Sequence, residues 1–185
     1  MKKRIGIGLI VIALGLVSGT TYGLISNNIQ GVGHGLATTV EVNSLEETLD
    51  SYVNSVVKGR VIKTLDTITE HEKQEKGPDF VWSRTPAIIQ VDEVLHGKNV
   101  GEEITFYEHG KRSDSSKEFL EVGEEVILFL DQETSYGGYW SYSFEDGLWR
   151  IDKEGRVTSK GKAEINGILQ NLNTKSFIQE INSAK

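Results

Sequence analysis

The side chains that could carry covalent or acid–base chemistry are few, and none falls in a catalytic pattern. The chain has no cysteine, which excludes disulfides, thiolate metal sites, cysteine nucleophiles and an amino-terminal lipid-modified cysteine. Its four histidines, His34, His71, His96 and His109, never form a His-x-x-x-His pair. A site of two histidines and a carboxylate would have to be assembled by the fold. His34 and His71 fall in expected loops, and His96 and His109 stand beside turn glycines, so no metal or cofactor is expected. No Gly-x-Ser-x-Gly elbow places a serine between a strand and a helix. Adjacent carboxylates recur at Asp92-Glu93, Glu102-Glu103, Glu124-Glu125 and Glu145-Asp146. General acid–base work needs two carboxyls at a defined separation in unlike environments, whereas neighbours on a strand point to opposite faces. Glu102-Glu103 and Glu124-Glu125 each follow Val-Gly, the form of a turn entering a strand. Asp152-Lys153-Glu154-Gly155 resembles half a calcium loop without the rest of the ligand spacing, and reads as a hairpin turn.

The unusual concentration is aromatic. Tyr136, Tyr139, Trp140, Tyr142, Phe144 and Trp149 bring together six of the chain's 15 aromatic residues (three Trp, six Tyr and six Phe). Rings with a polar handle suit stacking on sugars, on proline-rich or aromatic peptide, or at a membrane interface. On a strand, Trp140, Tyr142 and Phe144 share one face. Facing outward, Tyr139, Trp140, Tyr142 and Phe144 form a binding platform; facing inward, they are barrel core.

Charge is divided unevenly. Three of the 20 basic residues (Lys2, Lys3, Arg4) and none of the 27 acidic ones precede Glu41, so the chain beyond residue 40 carries −10. A body this acidic excludes nucleic acid as a partner, because phosphates need a basic footprint. From Ile5 to Ile25 there are 21 uncharged residues; as a helix they reach about 32 Å, enough for a hydrocarbon core. Residues 1–25 are therefore expected to be a transmembrane anchor or a signal segment. The basic stub should stay cytoplasmic and the body should lie outside, either on a single-pass anchor or secreted after cleavage. Cleavage after Val17-Ser18-Gly19 or Thr21-Tyr22-Gly23 is the alternative to a retained anchor, which the length of the run favours. Gly15, Gly19 and Gly23 share a helix face, a spacing equally ordinary in membrane helices. Residues 26–43 read as a flexible tether; Gly31-Val32-Gly33-His34-Gly35 lacks the lysine of a phosphate loop.

Residues 44–185 read as one β-rich domain. Ser44 and Glu47 form a capping box, and Leu45, Leu49, Tyr52, Val53 and Val56 line one helical face. Val56–Ile68 is rich in β-branched residues, with Gly59 marking a bulge. His71–Asp79 reads as a loop. Strands are expected over Ala87–Leu95, Glu102–Glu108, Val126–Leu130 and Tyr139–Phe144, then Leu148–Ile151 and, after a turn, Arg156–Thr158. Val126–Leu130 is apolar throughout, as for a strand buried on both faces. Thr174 caps a last helix carrying Phe177, Ile178 and Ile181. Short strands between terminal helices predict a mostly β fold: a small five- to six-stranded OB-like barrel, with its edges removed by closure.

Three stretches carry a resemblance: VVKGRV at Val56–Val61, VDEVLHG at Val91–Gly97 and FLEVGEEVILFL at Phe119–Leu130. Over Leu45–Thr158 the chain resembles a group of exported bacterial domains with a glycine-centred strand, a V-x-E-V-L-K-G strand and an F-x-V-G-E-x-Y-L-L-F-L strand. The resemblance implies the OB-fold barrel of netrin-like domains, the class that includes the tissue inhibitors of metalloproteinases. Those inhibitors work through an amino-terminal cysteine, which this chain lacks, so no inhibitory residue carries over.

Together these features predict a non-enzymatic, extracytoplasmic, membrane-tethered module that contacts an envelope protein or a wall polymer. The alternatives are an envelope hydrolase using carboxylates such as Asp131 or Glu133, and a netrin-like protease inhibitor.

Overall fold

The computed structural model describes residues 44–74 and 76–184. The apolar run Ile5–Ile25 and the tether 26–43 lie outside the described residues. Among the described residues no helix is long and apolar enough to cross a membrane. The elements are α1 (Leu45–Ser51), β1 (Ser55–Thr64), β2 (Ile68–Glu72), β3 (Phe80–Gly97), β4 (Glu103–His109), β5 (Glu125–Leu130), a 3-10 turn (Phe144–Gly147), β6 (Leu148–Ile151), β7 (Val157–Thr158), α2 (Glu164–Leu169) and α3 (Thr174–Ser183). The strands make one antiparallel seven-stranded sheet in the order β2-β3-β1-β5-β6-β7, with β4 also paired to β3.

Strand composition follows from what each face covers. Ile127 and Phe129 of β5 pack with Val56, Trp149 and the helices through Leu49, Ile165, Leu169, Phe177 and Ile181. Val126, Leu128 and Leu130 face the other way, into a second cluster with Val57, Val61, Ile89, Ile104, Phe106 and Leu148. Two cores on opposite faces explain why β5 is apolar without alternation. The helices supply the cover for one core. Ser44 Oγ accepts the Glu47 N–H at 3.1 Å and starts α1, while Asn173, one residue before the expected Thr174, accepts the Ser176 N–H at 2.9 Å and starts α3.

The long strands must bend to enclose the second core. Register shifts interrupt the β1–β3 ladder at Val56/Val57, Lys58/Gly59 and Val61/Lys63. At Gly59 a Cβ would stand 2.3 Å from the Gln90 carbonyl oxygen, so only glycine allows the close approach expected there. β3 begins at Phe80, well before Pro86. Proline is tolerated because its carbonyl accepts the Leu65 N–H (3.0 Å) at the break between β1 and β2, where its missing N–H interrupts no ladder.

The strand ladders do not close into the expected five- to six-stranded barrel. Tyr139–Phe144 forms no strand of its own and makes only isolated bridges, Phe106 to Tyr139 and Leu130 to Ser141. Gly137 and Gly138 precede it with positive φ, and Phe144, at φ 46°, turns the chain into the 3-10 turn. A regular extended run is cut short at both ends. The architecture is thus a mostly β, antiparallel domain with helices covering one face.

Candidate functional site

Tyr139–Tyr142 runs between β4 and β5, held by backbone hydrogen bonds on both sides. Tyr139 N–H donates to Thr105 (2.8 Å) and Tyr107 N–H to Tyr139 (2.9 Å); Asp131 N–H donates to Trp140 (3.0 Å) and Tyr142 N–H to Phe129 (3.0 Å). Gly138 permits this approach: at φ +83° a Cβ would meet the Thr105 oxygen at 2.6 Å.

The four expected site residues separate. Tyr139 is buried in the second core. Tyr142 packs against Phe129 beneath the helices, and burial raises its phenol pKa above the ordinary range. Trp140 and Phe144 instead flank His109, at 4.0 and 4.4 Å between ring centroids. Alternation therefore keeps Trp140 and Tyr142 opposite Tyr139, but helices cover only the second of them.

Around Trp140 the fold assembles an aromatic strip that belongs to neither core cluster. Trp82 lies 6.3 Å and Tyr107 5.4 Å from the Trp140 ring, and Tyr136 meets Tyr107 edge-on at 5.5 Å. Trp140 Nε1 donates to the Tyr136 hydroxyl at 2.9 Å. Arg84, only 10% exposed, fastens the strip: its guanidinium lies 4.1 Å from the Tyr136 ring centre and 5.2 Å from that of Tyr107, and pairs with Glu70 at 2.8 Å. Cation–π contact of a desolvated arginine makes these rings a rigid surface. Residue types alone did not disclose Trp82, Arg84 and His109 as members. The signal was present in the period-two run Phe80, Trp82, Arg84, which marks one face of a strand.

Beside the strip opens a cavity of about 200 Å³, walled by Phe106, Phe119, Trp140 and Phe144, with Glu108, Glu118, Glu145 and Lys117 at its sides. Glu108 is buried, and both its oxygens accept the Leu120 N–H, at 3.1 and 3.0 Å. Burial pushes its carboxyl up to about 7, against the opposing pull of the Leu120 N–H, Arg150 and Arg112; Glu145 adds to the rise. His109 is brought down to about 4, mainly by desolvation of its sandwiched ring and secondarily by Lys117. The residue as a whole is nonetheless exposed at its edge, so solvent screens part of that effect. Lys117 Nζ donates to the His109 carbonyl at 3.0 Å.

Asp131 and Glu133 stand exposed after β5, outside this cavity. Among the described residues no group of three or more His, Asp or Glu side chains is placed to hold a metal ion. The arrangement offers flat rings, a rigid cation beneath them and an acidic recess at one end. No family model matches the chain, and no curated protein matches it either.

Proposed function

We propose that the chain is a non-enzymatic binding module whose aromatic strip engages a wall polysaccharide outside the cytoplasm, with residues 5–25 as its membrane anchor or export signal. One observation carries the reading: Trp82, Tyr136, Trp140 and Phe144 gather at the surface over the buried Tyr107 ring, with Arg84 against Trp82, Tyr107 and Tyr136 and His109 between Trp140 and Phe144. Aromatic rings left partly open on a rigid sheet favour the apolar faces of sugars. The open antiparallel sheet is, in this reading, related to the OB-like fold of the exported domains it resembles. Tyr139–Tyr142, hydrogen-bonded to both β4 and β5, runs along its open side without making a strand ladder. Location rests on the 21-residue uncharged run behind a basic stub, the form of an anchor or signal.

The full-length chain should sediment with insoluble cell-wall glycan. Trp140→Ala should weaken the association about 30-fold, as loss of a central aromatic anchor of about 2 kcal/mol does. Phe144→Ala, at an exposed residue, serves as the second variant, and circular dichroism checks that both fold. Failure of the wild-type chain to sediment, or sedimentation of both folded variants to the wild-type extent, would overturn the reading.

A second reading, an envelope hydrolase, is favoured by Glu108: a buried carboxyl titrating near 7 beside Glu145 and His109 is suited to proton donation. Glycan turnover that disappears in Glu108→Gln is its signature and would replace the binding module.

A further inference from the structure

The cavity at the end of the strip is lined by three carboxyls, Glu108, Glu118 and Glu145, and one ammonium, Lys117. Glu118 is held by Lys160 at 2.6 Å, while Lys117, turned to the His109 carbonyl at 3.0 Å, keeps its charge. Glu108 and Glu145 have no ion-pair partner among the described residues. Around them stand the rings of Phe106, Phe119, Trp140 and Phe144. Aromatic walls with an unpaired carboxylate favour an organic ammonium over a neutral group, through ring quadrupole and charge together. The space, about 200 Å³, is below the ~300–1,000 Å³ of pockets for drug-sized molecules and suits one sugar-sized group. His109, its pKa lowered mainly by desolvation, adds no positive charge there at pH 7, so Lys117 is the one cation on the lining.

We propose that this cavity is a subsite for an amine-bearing sugar, an unacetylated amino-sugar unit, at one end of a saccharide lying along the Trp82–Trp140 strip. The inference rests on the reading of the strip as a polysaccharide platform and adds which unit is selected. A sugar is favoured over a lysine side chain because the cavity continues into a row of rings that a flat polymer of rings can follow. The ammonium is placed against Glu145 at the rim and Glu108 within. Binding of the ammonium is therefore coupled to release of the Glu108 proton to solvent, the charged carboxylate being favoured by Arg112 and Arg150 and opposed by Glu145.

Isothermal titration of the full-length chain, in a detergent without a sugar headgroup, would compare a glucosamine hexamer with its fully N-acetylated counterpart. The amine form is expected to bind about tenfold more tightly. Glu145→Gln, at an exposed position, and Glu108→Gln, which keeps an acceptor for the Leu120 N–H, should each reduce that preference at least about threefold. Equal affinity for the two hexamers, still lost in Trp140→Ala, overturns the amine subsite and leaves the platform standing. Binding of neither hexamer overturns both. A lysine pentapeptide that binds as tightly as the glucosamine hexamer overturns the assignment to a sugar.

Discussion

Trp149→Ala is expected to lower the unfolding free energy by about 3–5 kcal/mol, the largest single effect anticipated for the domain. Trp149 is fully buried on β6 and forms the contact between the sheet and the helices. Its ring lies 5.0 Å from Phe177 of α3, edge-on, and 6.3 Å from Phe129 of β5. Truncation removes apolar burial and leaves a cavity bounded by a sheet that cannot collapse, since the other face of that sheet is filled by Val126, Leu128 and Leu148. Trp149→Phe should cost much less. The indole Nε1 finds no acceptor among the described residues, and removing an unsatisfied buried donor recovers about 1–3 kcal/mol, which offsets part of the lost volume. Urea unfolding of the full-length chain and both variants reads the difference from the midpoint at constant slope. An alanine variant within about 1 kcal/mol of wild type would contradict the two-core description.

A pH-dependent difference of about 3 kcal/mol between wild type and Glu108→Gln is the second large effect. The Glu108 carboxyl goes from an ordinary 4.5 to about 7 on folding, and each unit of displacement corresponds to about 1.4 kcal/mol. A raised acid holds its proton in the folded state. Its stabilisation is therefore fully present below about 4.5 and is lost as pH rises through about 7. Wild type should gain on Glu108→Gln as pH falls from 8 to 4.5, measured as the difference between their unfolding curves. His109 is present in both proteins and cancels from that difference; in either protein alone it runs the other way, brought down to about 4 from 6.5, so that its contribution is present above 6.5 and lost as pH falls through 4. The opposing slope is shallower because the imidazole edge is open to solvent. A difference between wild type and Glu108→Gln that stays constant across the window would show that Glu108 ionises as freely as in water.

Much of the fold was legible because it rests on local rules. The Ser44–Glu47 cap, the apolar β5, the bulge glycine Gly59 and the amphipathic Phe177/Ile181 face each follow from one segment's own chemistry. What escaped depends on pairing between distant segments. The stretch from His71 to Asp79 reads as polar loop, yet β2 extends through Glu72 because it zips against Phe80–Arg84 of β3. Helix α2 has no side-chain cap and was not anticipated. It is held instead by Asp146, whose carboxylate accepts the Ala163 N–H at 2.9 Å.

Clustering in sequence pointed to Tyr139–Phe144, and Trp140 and Phe144 lie on the strip. The four residues do not share one surface, for a physical reason: one stretch of chain serves a core on each side and a surface at its end. Tyr139 and Tyr142 were taken by the two cores. Trp82 and Arg84 come from a strand 58 and 56 residues before Trp140 in sequence, so only the β2–β3–β4 pairing brings them beside it.

The three tryptophans offer the most direct test of the strip as a binding surface, since Trp82 and Trp140 belong to it while Trp149 is sealed in the helix-covered core. Indole N–H resonances of the isotope-labelled full-length chain, followed as a glucosamine hexamer is added, report each ring separately. Saturable shifts of the Trp82 and Trp140 signals with Trp149 unmoved are the predicted result. Strip signals that stay fixed at saturating ligand, or that move only together with Trp149, would contradict it.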